Sequence, residues 1–208
     1  LSMSVVTNNH ITVRAQQGTC NKPFESVSPA LTDVGSDFYI RMDGQVTSFT
    51  GGLYPDGSNQ PPTEHAIAGI EAASRIQPLD ESGSPDINSG KIGLVSIGMS
   101  NTYSEFEQFI QIAKDDPEIN PFINFVNGAI PGQTAQYWVD PQAQTWQELD
   151  FRLSRNKLNP LQIQVVWVKL TLTGGGKFPT KAQELQSDLE AIARNLRTSF
   201  PNLQIAFF

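Results

Sequence analysis

The chain has 208 residues, with 14 Lys and Arg against 21 Asp and Glu, a net charge of −7, two His and one Cys. That length suits one domain with a proper core, or one domain plus an arm. One Cys excludes a disulfide scaffold or a cysteine-rich zinc site, and two His leave little room for a multi-His metal centre; the acidic balance argues against phosphate-backbone binding, and no apolar run approaches the ~18 residues of a membrane-spanning helix.

Charge and pattern divide the chain near residue 90. Residues 1–90 carry ten acidic and four basic side chains, and residues 91–208 carry eleven and ten. Residues 1–30 read as a linker or the tail of an upstream module, with one short strand at Ile11-Thr12-Val13-Arg14. No charged-then-apolar leader follows Leu1, so the sequence reads as a piece of a longer chain. Turn signals follow at Gly51-Gly52, Pro55-Asp56-Gly57 and Pro61-Pro62. Thr63 is a fair N-cap for a helix carrying Ala66, Ile67, Ile70, Ala73 and Ile76, with Pro78 as its stop. Residues 80–90 read as an exposed connector.

The second part is more regular. Ile92–Ile97 is an apolar run of buried-strand type. Thr102 with Glu105 makes a capping box, and Phe106, Phe109, Ile110 and Ala113 form one helical face that ends before Pro117. Phe122–Val126 is a second strand, and a helix over 143–157 places Trp146, Leu149 and Leu153 on one side. Ile163–Val168 is a third strand. A helix from Thr180 follows, with Leu185, Leu189, Ile192, Leu196 and Phe200 at i+3/i+4 spacing, and Leu203–Phe208 is a fourth strand.

Strands alternating with helices predict an α/β fold, a three-layer α/β/α sandwich with a mostly parallel sheet of flavodoxin-like or Rossmann-like kind. The domain spans 31–208, with 31–90 as an irregular arm holding one helix and 91–208 as the sandwich core. Ligands of such sheets bind beyond the carboxyl ends of the strands, which points to the loops after 97, 126, 168 and 208.

Ser100 follows the first of these strands, at a strand-to-helix turn. There it is either a turn residue or a nucleophile whose neighbouring N–H groups stabilise an oxyanion. Gly128, after the second strand, is either a plain turn glycine or the donor of a ligand-facing N–H. Lys169, after the third, either leaves the sheet for solvent or reaches into the cleft. Gly174-Gly175-Gly176 makes a flexible rim. Gly93 and Gly98 have phosphate-loop spacing, but Met99 stands where the Lys belongs; no G-x-G-x-x-G follows the first strand, and no metal or cofactor is expected.

Gly98-Met99-Ser100-Asn101, Asn127-Gly128 through Gly132, and Val166-Trp167-Val168-Lys169 resemble the blocks of the SGNH/GDSL hydrolases, and Gly51-Gly52-Leu53-Tyr54-Pro55 adds a likeness to a bacterial group of SGNH-like proteins. The likeness covers about residues 50–208. It implies Ser100 as nucleophile, and Gly128, Asn101 and Lys169 as oxyanion or substrate-binding groups. Met99 replaces the family's Asp, and Val168-Lys169-Leu170-Thr171 stands in place of its Gly-x-Asn-Asp. The family's late Asp and His have no counterpart, since His10 and His65 both precede Ser100, which implies a C-terminally incomplete domain with little activity of its own. The implied function is a serine esterase acting on a small-molecule or carbohydrate ester such as an acetyl group, with no nucleic acid partner and no membrane insertion. The alternative is a non-catalytic carbohydrate-binding or interaction module on the same fold, and a flavodoxin-like nucleotide binder ranks last. The polar composition favours an exported bacterial protein over a cytoplasmic one.

Overall fold

A computed structural model describes residues 29–41 and 43–208. The strand expected at Ile11–Arg14, and His10, lie outside the described residues. The chain divides into two compact units at Pro62/Thr63. The helix at 63–74 and the 80–90 connector thus belong to the same unit as the sheet.

In the first unit a short helix α1 (Leu31–Val34) leads to a hairpin of β1 (Phe38–Ile40) and β2 (Val46–Thr50), paired antiparallel with an irregularity between Phe38 and Ile40. The expected turn at Pro55–Gly57 is a single 3-10 turn, closed by a bridge between Tyr54 and Ser58.

The second unit runs α2 (Thr63–Ser74), β3 (Ile92–Gly98), α3 (Ser100–Lys114), β4 (Ile123–Asn127), α4 (Gln144–Arg155), β5 (Ile163–Lys169), α5 (Thr180–Ser199) and β6 (Ile205–Phe207). The four strands β3 to β6 form one parallel sheet in the order β4-β3-β5-β6. The connection from β3 to β4 runs one way, and that from β4 to β5 returns across β3. The order therefore reverses between β3 and β5, as the flavodoxin-like arrangement requires.

The alternation of side chains explains the layers. Val95, Ile97, Val126, Val166 and Val168 face one side and are buried with Trp146, Leu149 and Leu153 of α4 and Ile192, Leu196 and Phe200 beneath α5. Ser96, Phe125 and Trp167 alternate to the other side, where Phe106 of α3 stacks on Trp167 at 5.9 Å and meets Phe125 edge-on at 6.4 Å. The sheet is thus covered by helices on both faces, and the α/β sandwich is established. No described helix is long and apolar enough to cross a membrane.

The connector before β3 is fixed by side chains. Gln164 donates from Nε2 to the Gln77 carbonyl (2.7 Å) and accepts from the Gln77 N–H (3.1 Å), while Gln162 donates to the Leu79 carbonyl (2.9 Å). Leu79 and Lys91 then exchange main-chain bonds of 2.8 and 3.0 Å, which closes the loop between them. Both glutamines are buried, so these partners satisfy amides that would otherwise be costly to desolvate.

Candidate functional site

Strand β3 ends at Gly98, and Ser100 opens α3 directly. The first main-chain bond of the helix is Tyr103 N–H to the Met99 carbonyl at 2.8 Å. The N–H groups of Ser100, Asn101 and Thr102 therefore stand at a free helix start, where the dipole of a 15-residue helix favours negative charge. Ser100 and Asn101 are exposed. Neither side chain bonds to another described residue, in contrast to the turn and capping contacts that such residues often make.

The loop after β4 is tied to this end of β3. Ile130 donates its N–H to the Gly98 carbonyl at 2.9 Å. Asn127 Oδ1 accepts from the buried Ser96 hydroxyl (3.0 Å) and from Ala129 N–H (3.3 Å), and its Nδ2 donates to the Tyr103 carbonyl (2.9 Å) and Glu107 (2.8 Å). Gly128 sits inside this network, and a Cβ there would stand 2.4 Å from Leu149 Cδ1 and 2.6 Å from the Ser96 carbonyl oxygen. Gly98 is constrained in the same way, because a Cβ would meet Thr102 Oγ1 at 2.2 Å. Both glycines are required by close approach of neighbouring atoms, so the strand ends of β3 and β4 are held side by side.

Lys169 is paired opposite Gly98 at the end of β5. Its ammonium lies 2.6 and 2.7 Å from the two carboxylate oxygens of Glu105, on the second turn of α3. Both side chains are more than 40 % exposed, so the pair contributes on the order of 0–1 kcal/mol. Of the two orientations open to Lys169 from sequence, the exposed one holds, with the side chain turned laterally against α3.

Thr102 departs from its expected role. The helix begins two residues earlier, at Ser100, and its cap residue Met99 makes no side-chain bond. The Thr102 hydroxyl, fully buried, donates instead to the Lys169 carbonyl at 2.8 Å. The two residues expected to form a capping box, Thr102 and Glu105, both bind residue 169, one its main chain and one its side chain. Thr102 thereby fills the space between β3 and β5 where the strand order reverses.

His65 lies in the first turn of α2 and is exposed, and α2 packs against β6, two strands away from β3. Among the described residues, no group of three His, Cys, Asp or Glu side chains comes together in a manner suited to a metal ion.

Sequence reasoning missed Arg152. From α4 its Nη1 donates to the carbonyls of Asn127 (3.1 Å) and Ala129 (3.0 Å), and its Nε to Glu148 (2.8 Å). The available signal was an Arg in the last turn of α4, one residue before Leu153 of its apolar face; nothing in the sequence says which loop it reaches.

No protein-family model matches the chain, and no curated protein or solved structure is significantly similar to it.

Proposed function

We propose that this chain carries the serine-bearing half of an SGNH-like ester hydrolase site. The observation behind this reading is the bond from Ile130 N–H to the Gly98 carbonyl, which sets the Asn127–Ile130 loop beside the helix start that bears Ser100. In the proposed reaction Ser100 Oγ attacks the ester carbonyl carbon and loses its proton to a general base. The carbonyl π electrons pass to the oxygen, which the N–H groups of Ser100 and Gly128 hold. Collapse breaks the bond to the leaving alkoxide, which takes the proton, and water repeats the sequence to release the acid.

The base is supplied from outside the described residues, and without it the serine hydroxyl is a weak nucleophile at neutral pH. The substrate class is an ester of a small molecule or carbohydrate. Treatment with an active-site serine phosphonate tests the nucleophile: an adduct confined to Ser100, and lost in Ser100→Ala, is expected. Labelling that survives Ser100→Ala would reject the reading.

A second reading, a non-catalytic binding module, is favoured by Lys169 being occupied by Glu105 and by Thr102 filling the crevice. Under it, the chain binds saccharide esters without turning them over.

A further inference from the structure

A groove away from Ser100 holds about 670 Å³ and follows the free edge of β4, between Tyr103 and Lys114 of α3 on one side and Arg152 of α4 on the other. Such a volume suits a small ligand or a short peptide. Ile123, Asn124, Phe125 and Asn127 of β4 line the groove, and the register with β3 fixes which way their main-chain groups point. Ile92 donates to the Phe122 carbonyl, so the N–H and C=O groups of residues 122, 124 and 126 point to β3, and those of 123, 125 and 127 point away. Two contacts agree with this parity, since Ile123 N–H bonds outward to the Asn120 carbonyl (3.0 Å) and Arg152 reaches the outward Asn127 carbonyl.

Four outward groups remain with no partner among the described residues: the Asn127 N–H, both the C=O and N–H of Phe125, and the Ile123 C=O. We infer that this groove binds the C-terminal segment of another polypeptide as an added antiparallel strand. The order of donors and acceptors matches one extended chain. A peptide residue opposite Phe125 exchanges two bonds with it, the residue two places earlier accepts from Asn127 N–H, and the residue two places later donates to the Ile123 carbonyl.

Beyond that point the edge offers nothing, because the Ile123 N–H is already bonded to Asn120. The added strand therefore ends there. An antiparallel chain ends at the amino end of β4, which is also where the C-terminal turn of α3 places Lys114. Lys114 lines the groove, is exposed, and has no partner among the described residues. Among the charged side chains of the lining Lys114 alone has no partner among the described residues, since Glu107 is bonded to Asn127 and Arg152 to Glu148; Asp115, Asp116 and Glu118 follow in the turn without lining the groove. The unpaired Lys114 ammonium suits a terminal carboxylate. The other end of the edge is closed by Arg152, which limits the added strand to about five residues.

The probe is acetyl-Thr-Val-Thr-Val-Ala with a free carboxylate, titrated into the whole chain while amide exchange is followed residue by residue. The Phe125 and Asn127 amides are expected to exchange at least about five-fold more slowly in its presence. The C-terminally amidated peptide is expected to bind about three-fold more weakly, and Lys114→Gln to remove that difference. Unchanged exchange at Phe125 in millimolar peptide overturns the inference. So does equal binding of the free and amidated forms, or protection of Phe125 by a cellulose or chitin oligosaccharide but not by the peptide. Phosphonate labelling of Ser100 is a separate measurement, since neither Phe125 nor Lys114 takes part in that chemistry.

Discussion

The junction of β3 with β5 and the outer edge of β4 belong to one sheet and are finished in opposite ways. At the junction Thr102 fills the gap and holds the Lys169 carbonyl, Glu105 holds the Lys169 ammonium, and Ile130 holds the Gly98 carbonyl, while the helix start at Ser100 keeps its free N–H groups. Along β4, Arg152 and Asn120 occupy the two ends and leave the middle open. Position in a parallel sheet marks where a crevice can form, but hydrogen-bond saturation decides whether it stays open. In this chain Thr102 occupies the space between β3 and β5, and main-chain groups without a partner among the described residues remain at the start of α3 and along the edge of β4.

Substitutions on either side test that contrast. The largest effect is expected for Gly98→Ala, whose Cβ would overlap the short, branched Thr102 side chain. A loss of about 1–3 kcal/mol, read as a lower urea midpoint, is expected. Thr102→Val keeps the shape and removes the hydroxyl, leaving the Lys169 carbonyl without its donor; about 1–2 kcal/mol should be lost in the same measurement. Arg152→Leu uncovers the Asn127 and Ala129 carbonyls. It should lengthen the open edge of β4, so that concentration-dependent association appears in sedimentation while the wild type shows less.

Glu105→Gln should change stability by less than about 1 kcal/mol, because the pair is exposed. It frees the Lys169 ammonium, so faster acylation of Lys169 by an amine-reactive ester, mapped by mass spectrometry, is expected. The smallest effect concerns acid. The Ser89 hydroxyl, followed by the N–H groups of Asn88 and Ser89, holds the Asp86 carboxyl below its ordinary range, and the Ser82 hydroxyl with nearby N–H groups does the same for Asp80. Their contribution is therefore complete above the ordinary Asp range and fades as pH falls through the lowered values. Amide protection within 80–90 should decline there before the sheet responds, and a loop that keeps its protection into stronger acid would contradict this.

The layers were legible because each sheet strand is an apolar run and each helix from α3 onward shows one apolar face. Phe106, Ile110, Leu149, Leu153, Ile192 and Leu196 fall where the 3.6-residue period puts them. The hairpin β1–β2 was not legible. Its strands have three and five residues and are mostly exposed, so no alternation marks them. At the site, the position of Ser100 followed from strand–helix order alone. The partner of Lys169 did not, because it depends on the register that sets Gly98 beside Lys169 and brings the second turn of α3 overhead. The Thr102–Glu105 spacing misled, because α3 starts at Ser100 and neither residue caps it.

The glutamine contacts behind the sheet carry a genetic consequence. Residues 77 and 79 are moored by side chains 83 to 87 positions further along the chain. A main-chain rung survives almost any change of letter, whereas this mooring is spelled out in two codons. Conversion of Gln164 to Glu, a single-nucleotide change, exchanges the donor facing the Gln77 carbonyl for an oxygen that repels it. The connector would then lose its hold at residue 77 through a change 87 positions away, with no residue of its own altered.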